Sequence, residues 1–422
     1  MSFAVARRML RSMKNFDRAG VGTWSTLAVL LVVVGCASHQ GNGAAPSDER
    51  KGARTPEEIE ALFSREKDVP AAREAQGPGG VWTAEFPSDS EVTVTPGEGH
   101  TLAEFSLGTE AKTRCVFYDE AVDAGHTIGV VLDGVAKKGT IERALPYRVA
   151  TAQGLPVVFL EARYAIAAEG GKQAGSLKVA ISPRLQTPVF CYLDEPGYAG
   201  AFEKAVTHVL TTLSTKEPSP EPAYAEVWAH SIDGQAFGFQ WLQMLDEGAG
   251  KRTTVTISAN FVPAGPGELS ISDEVEVMKS DKSGVYEGTF YEVEGNEVAH
   301  DLTLKRSGKS KFTAIGKVQG KDFKAEFSAP KLADDIDSYR LVRQNSKKIT
   351  KLTSTEFAPS VDPSAAAAVA YAIDGKGRSV TIDVADLSLV GSLTEDGLIS
   401  QVVAKMGERE VKTEIIHRAG KF

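Results

Sequence analysis

The chain has 422 residues, 47 Lys and Arg against 56 Asp and Glu, a formal charge of −9 and 42% apolar residues. That length exceeds what one hydrophobic core usually organises, so two domains joined by connecting segments are expected. The acidic balance excludes a typical nucleic-acid binder, because phosphate contacts are supplied by clustered Lys and Arg.

The first 35 residues read as a targeting segment. A basic stretch (Arg7, Arg8, Arg11, Lys14, Arg18) precedes an apolar run over 27–35, which stops at Cys36 and gives way to the polar, small residues 37–43. This is a secretory signal layout. The run is about half of the roughly 20 apolar residues that a membrane-spanning helix needs. Val33, Val34, Gly35 and Cys36 resemble the lipobox of bacterial lipoproteins, in which cleavage before the cysteine leaves it as the lipid-bearing N-terminus. The resemblance implies a signal peptide over 1–35, lipid attachment with acylation (palmitate) at Cys36, and a cell-envelope location with the membrane as a partner. Ala37, where an Asp would signal retention, resembles outer-membrane sorting in Gram-negative bacteria and implies an anchor facing the periplasm. The segment carries a net charge of +4, so its loss leaves a mature chain of −13.

Residues 36–80 are rich in Ala, Gly, Pro, Ser, Glu and Arg and read as a flexible tether. Within it, Thr55, Pro56 and Glu58 carry helix-opening signals, and Ile59, Leu62 and Phe63 follow at helical spacing. That short helix either docks a partner or packs back on its own domain.

Residues 81–215 read as an α+β domain. Strands are expected over 91–95, 101–107, 113–118, 141–151, 155–167, 176–182 and 188–193, and helices where Ile128, Val131, Leu132 and Val135, then Phe202, Val206 and Val209, keep a helical face. With Cys36 on lipid, Cys115 and Cys191 remain. An even pair in an exported chain suggests a disulfide, the alternative being two separate buried thiols. Each cysteine-bearing strand ends in an acidic pair, Asp119–Glu120 and Asp194–Glu195, followed by a loop and a helix. Acids near helix starts more often serve capping than a cation site. The order of strands, helix, strands and terminal helix resembles the PsbP/Mog1-like fold, an antiparallel sheet flanked by helices.

Residues 216–222, with three prolines, form a linker. Beyond it, 223–422 alternate at period two: Val255, Ile257, Ala259 and Phe261 share one face, as do Phe312, Ala314 and Val318. Turn-like breaks at 294–296, 307–309 and 319–321 separate the runs, so an antiparallel meander is expected, closed as a barrel, half-barrel or sandwich. An alanine-rich stretch over 364–372 reads as a helix able to plug such a sheet. The motif Ile232-Asp233-Gly234 recurs as Ile373-Asp374-Gly375.

No catalytic signature emerges. The seven histidines are scattered, no Gly-x-Ser-x-Gly elbow is present, and Gly248-Ala249-Gly250-Lys251-Arg252 fails phosphate-loop spacing and reads better as a hairpin turn. No cofactor or metal site is expected. Trp228, Phe237, Phe239 and Trp241 are either core residues or the lining of an apolar ligand cavity. The expected function is therefore non-enzymatic: a lipid-anchored envelope protein that binds a partner protein or envelope component. The alternative is a carrier of lipids or other hydrophobic ligands through the C-terminal β domain.

Overall fold

A computed structural model describes residues 69–422 apart from 109–110, 169–170, 185, 218–219, 266, 296, 386 and 407–408. The signal segment, Cys36, most of the tether and the short helix after Thr55 lie outside the described residues.

The described chain opens with strands β1 (Ala72–Gln76) and β2 (Trp82–Pro87), then β3 (Thr93–Pro96), β4 (His100–Ser106) and β5 (Lys112–Tyr118). Helix α1 (Ala124–Ala136) leads to β6 (Thr140–Ala152), β7 (Leu155–Ala168), β8 (Gly171–Ser182) and β9 (Val189–Asp194). Helix α2 (Ala199–Thr212) and the short β10 (Ser214–Thr215) complete this part. Strands β3 to β9 form a seven-stranded antiparallel sheet ordered β3-β4-β5-β9-β8-β7-β6, and β2 is paired by β1 and β10 in a separate three-stranded sheet. The strands and both helices expected over 81–215 are present. Strand β1 corrects one boundary, since it falls within the stretch read as tether.

The seven-stranded sheet is covered on both faces, which explains runs such as Val157 to Leu160, where successive residues are all buried. One face carries Phe117, Phe159 and Leu193 against Phe202, Val206 and Val209 of α2 and against Trp82 and Phe86 of β2. The other carries Val158, Leu160, Val179 and Phe190, with Ile128 and Leu132 of α1.

The remainder forms one fourteen-stranded antiparallel sheet. Its first eight strands are β11 (Tyr224–Ile232), β12 (Gln235–Gly248), β13 (Lys251–Gly265), β14 (Glu268–Asp281), β15 (Gly284–Glu294), β16 (Glu297–Arg306), β17 (Lys311–Val318) and β18 (Lys321–Ser328). Helix α3 (Asp335–Asn345) then crosses to β19 (Ile349–Phe357), β20 (Ala366–Asp374), β21 (Ser379–Val384), β22 (Leu387–Leu393), β23 (Ile399–Met406) and β24 (Arg409–Gly420). The chain starts in the middle of the sheet at β11, runs out to β18, and returns from the opposite edge until β24 pairs with β11. The sheet curls until its edges meet without pairing as strands. Phe327 of β18 stacks on Phe357 of β19 with centroids 5.6 Å apart, and Ala333 makes a single parallel bridge to Glu356.

Local turn chemistry explains the meander. Asp233 and Gly234 both have positive φ, 49° and 79°, the signature of a two-residue type I′ hairpin whose twist matches its strands. Gln319 and Gly320 repeat it at 50° and 73°. Ile373-Asp374-Gly375 does not, because β21 resumes only at Ser379; the two similar motifs make different turns.

One expected helix is corrected, and one that was not expected is present. Residues 366–374 form strand β20 rather than a helix, because Val369, Tyr371 and Ile373 alternate into a buried core and that packing outweighs alanine's helix propensity. The helix that does cover the sheet is α3, whose Ile336, Tyr339 and Val342 are buried at helical spacing among polar residues.

Candidate functional site

Cys115 and Cys191 stand directly opposite each other on β5 and β9 and are joined as a disulfide. Both are buried on the α2 face of the seven-stranded sheet. Neither α1 nor α2 has a side-chain cap from its own N-cap residue, Asp123 or Tyr198. Asp194 accepts from the Tyr164 hydroxyl at 2.7 Å.

The four aromatics divide between two cores. Trp228 and Phe237 pack with Val342 of α3 and with Tyr371 and Ile382. Phe239 and Trp241 pack on the opposite face with Ile128, Val158 and Phe190, joining the two large sheets. The split arises at a β-bulge: His230 pairs with Gly238 and Ser231 with Ala236, leaving Phe237 as the extra residue. Period-two reading places Phe237 with Phe239 and Trp241; the bulge moves it to the other side.

Beside its apolar cores, the face of the large sheet toward α3 carries two buried polar hubs. Asp334, the N-cap of α3, accepts from the Asp337 backbone N–H at 2.9 Å and takes a bidentate pair from Arg252 at 2.9 and 2.7 Å. Ser280 donates to the same carboxylate at 2.7 Å, and Asp337 lies 2.9 Å from Arg252. Burial works against the Arg252 charge, yet Asp334 and Asp337 hold its pKa above the ordinary value. A second hub is Glu226, fully buried on β11. It accepts from Tyr224 at 2.6 Å, from Trp228 Nε1 at 2.7 Å, from Arg418 at 3.2 Å and from the Tyr339 hydroxyl of α3. Burial first, and Glu226 second, push the pKa values of Tyr224 and Tyr339 upward, so both phenols stay protonated and donate. The carboxylates at these two hubs are engaged by donors from the sheet and the helix. Chemically the arrangement anchors α3 across one end of the sheet.

A further polar contact joins the two large sheets, and its key residue escaped the sequence reading. Asp273 of β14 accepts from the Gly125 N–H at 2.8 and 3.0 Å and from the His126 N–H at 3.3 Å, so it caps α1 from the other sheet. Gly125 permits this approach, since a Cβ there would lie 2.0 Å from Ile271. Burial raises the Asp273 pKa to about 7, opposed by the Gly125 N–H and reinforced by Asp123. No local signal identifies a cap supplied from 148 residues away.

Among the described residues, no cluster of three or more His, Cys, Asp or Glu is placed to hold a metal ion. No described helix is long and apolar enough to cross a membrane. No family model and no curated protein matches the chain. A crystal structure of a β-barrel-like protein of domain of unknown function DUF1849 from Brucella abortus is similar over 47% of this chain and 98% of its own, with 12% identity and a TM-score of 0.38.

Proposed function

We propose that this protein is a lipid-anchored component of the bacterial cell envelope that binds a partner protein or envelope component and catalyses no reaction. The observation that carries the reading is the Cys115–Cys191 disulfide, because structural disulfides form and persist in oxidising compartments, to which the lipobox at Cys36 would deliver the chain. The outer membrane facing the periplasm is the location that Ala37 favours. The carrier alternative draws no support from Trp228, Phe237, Phe239 and Trp241, which are divided between two packed cores instead of sharing one cavity wall.

The test compares the parent with Cys36→Ser in the native host by membrane fractionation. The parent is expected in the outer-membrane fraction and the variant as unprocessed precursor or in a different fraction. Identical distribution of the two would overturn the anchor. Crosslinking in intact cells then identifies the partner, and recovery of no crosslinked envelope component would contradict the binding role.

A further inference from the structure

We propose that the end of the fourteen-stranded sheet covered by α3 binds a phosphate-bearing anion, held by Arg340, Arg343 and Lys347. These side chains line an open cavity of about 650 Å³, together with Lys348 and the ring of Phe422. Four cations thus face one cavity in a chain whose overall charge is −9. Arg340 and Lys347 make no side-chain hydrogen bond or ion pair with any described residue. Arg343 lies over the Phe422 ring, 5.7 Å from its centroid. Two carboxylates share the cavity wall: Glu395 pairs with Arg378 at 3.3 Å, and Asp396 accepts from Thr394 at 2.6 Å and is held below its ordinary pKa by that hydrogen bond first and by Arg343 and Arg418 as well.

A second observation comes from other elements. An adjoining cavity of about 450 Å³ shares Arg340 and is lined by Lys251 and Lys282, which belong to the β12–β13 and β14–β15 turns. Neither lysine makes an ion pair within 4 Å among the described residues, although Lys251 lies close enough to Asp281 to join Arg306 in lowering its pKa against burial. Asp281 and Asp337 pair with Arg306 and Arg252, and Asp246 also lines this cavity. The turn that failed phosphate-loop spacing therefore supplies a cation as a hairpin tip. The helix macrodipole accounts for cations in the last turn of α3, but not for Arg340 in its middle or for lysines on two separate hairpins. Cations outnumber carboxylates in both cavities even with Glu395, Asp396, Asp246, Asp281 and Asp337 in their walls, and a bound anion offsets that excess of positive charge. Guanidinium groups match phosphate oxygens in a planar, bidentate geometry, and the several cations around one cavity suit the higher charge of a phosphate ester better than a single carboxylate.

Calorimetric titration of the purified full chain with sn-glycerol 3-phosphate and, separately, with inorganic phosphate tests this. In the combined Arg340→Gln, Arg343→Gln and Lys347→Gln variant the dissociation constant is expected to rise at least about tenfold. A Lys321→Gln, Lys324→Gln control on β18 should bind as the parent does. Tighter binding of the glycerol ester supports a lipid or sugar-phosphate headgroup; equal binding supports free phosphate. Parent binding should also weaken as salt is raised, a readout that does not depend on the variant's folding. Absence of heat with both probes, binding indifferent to salt, or unchanged binding in a folded triple variant would each overturn the proposal.

Discussion

The two large sheets reach stability by different physical routes. The seven-stranded sheet is apolar on both faces and covalently cross-linked between β5 and β9. The fourteen-stranded sheet shares that apolar character on the face that meets its neighbour, where Phe239, Trp241, Ala259 and Phe261 are buried. Its α3 face also carries apolar cores, with Trp228, Leu242, Tyr371 and Ile382 buried there, but it adds a layer of buried polar residues. Glu226, Gln240, Thr254, Thr256 and Arg252 are all buried there, and charged hydrogen bonds to Asp334 and Tyr339 hold the helix in place. A polar face of this kind resists the loss of either partner badly, because the survivor is left as an unpaired buried charge.

The largest expected effect probes the first sheet. Replacing both Cys115 and Cys191 by Ser opens a cross-link spanning 76 residues and is expected to cost about 4 kcal/mol of unfolding free energy, measured by urea denaturation. A cost below about 1 kcal/mol would mean that the apolar cores alone hold this sheet.

The second effect probes the other sheet. Asp334→Ala removes the α3 cap and the bidentate partner of Arg252, whose side chain is 8% exposed and keeps only Asp337, and should cost about 3 kcal/mol. Calorimetry of the variant should show it melting earlier than the parent. A shift no larger than that of an exposed substitution would mean that α3 is held by Ile336, Tyr339 and Val342 alone.

The third prediction concerns the contact between the sheets. The Asp273 pKa rises from its ordinary 3.8 to about 7 on folding, so the folded state takes up the proton more readily than the unfolded chain. Its contribution to stability is fully present below about pH 4 and is lost as pH rises through about 7. Between those limits the stability of the parent should therefore fall with increasing pH relative to Asp273→Asn, as read from unfolding midpoints of both proteins. Parallel pH profiles would contradict a buried, titrating Asp273.

The smallest effect is on the surface of the seven-stranded sheet, where Glu104 of β4 pairs with Lys112 and Arg114 at 3.0 and 2.8 Å. Glu104 is partly exposed, so Glu104→Gln should cost under about 1 kcal/mol, shrinking as salt is added. A larger, salt-independent loss would place a buried charge network on this sheet as well.

The same contrast decides what could be read from the residues alone. The first sheet announces itself because its strands and helices carry uninterrupted or helically spaced apolar residues, and Cys115 and Cys191 sit in matching apolar strands. In the second, the hairpin turns and the Val255 to Phe261 alternation reveal the meander. What escaped was set by contacts distant in sequence. Helix α3 is rich in Asp, Arg and Ser, so its apolar stripe is thin and its stability comes from Arg252 and Glu226 on far strands. The alanine-rich residues 366–374 obey the core they face rather than their propensity. The bulge at Phe237 reverses a face that strict alternation assigns, and Asp273 caps a helix in the other sheet with no local pattern to mark it.

Mass spectrometry of unreduced peptides from protein extracted from its native membrane distinguishes an anchored protein whose disulfide forms after export from one that stays unprocessed. An anchored, exported protein yields an N-terminal peptide that begins at Cys36 and carries lipid, no peptide from residues 1–35, and Cys115 linked to Cys191. An unmodified peptide spanning Gly35 and Cys36, with both remaining cysteines as free thiols, would contradict anchoring and export.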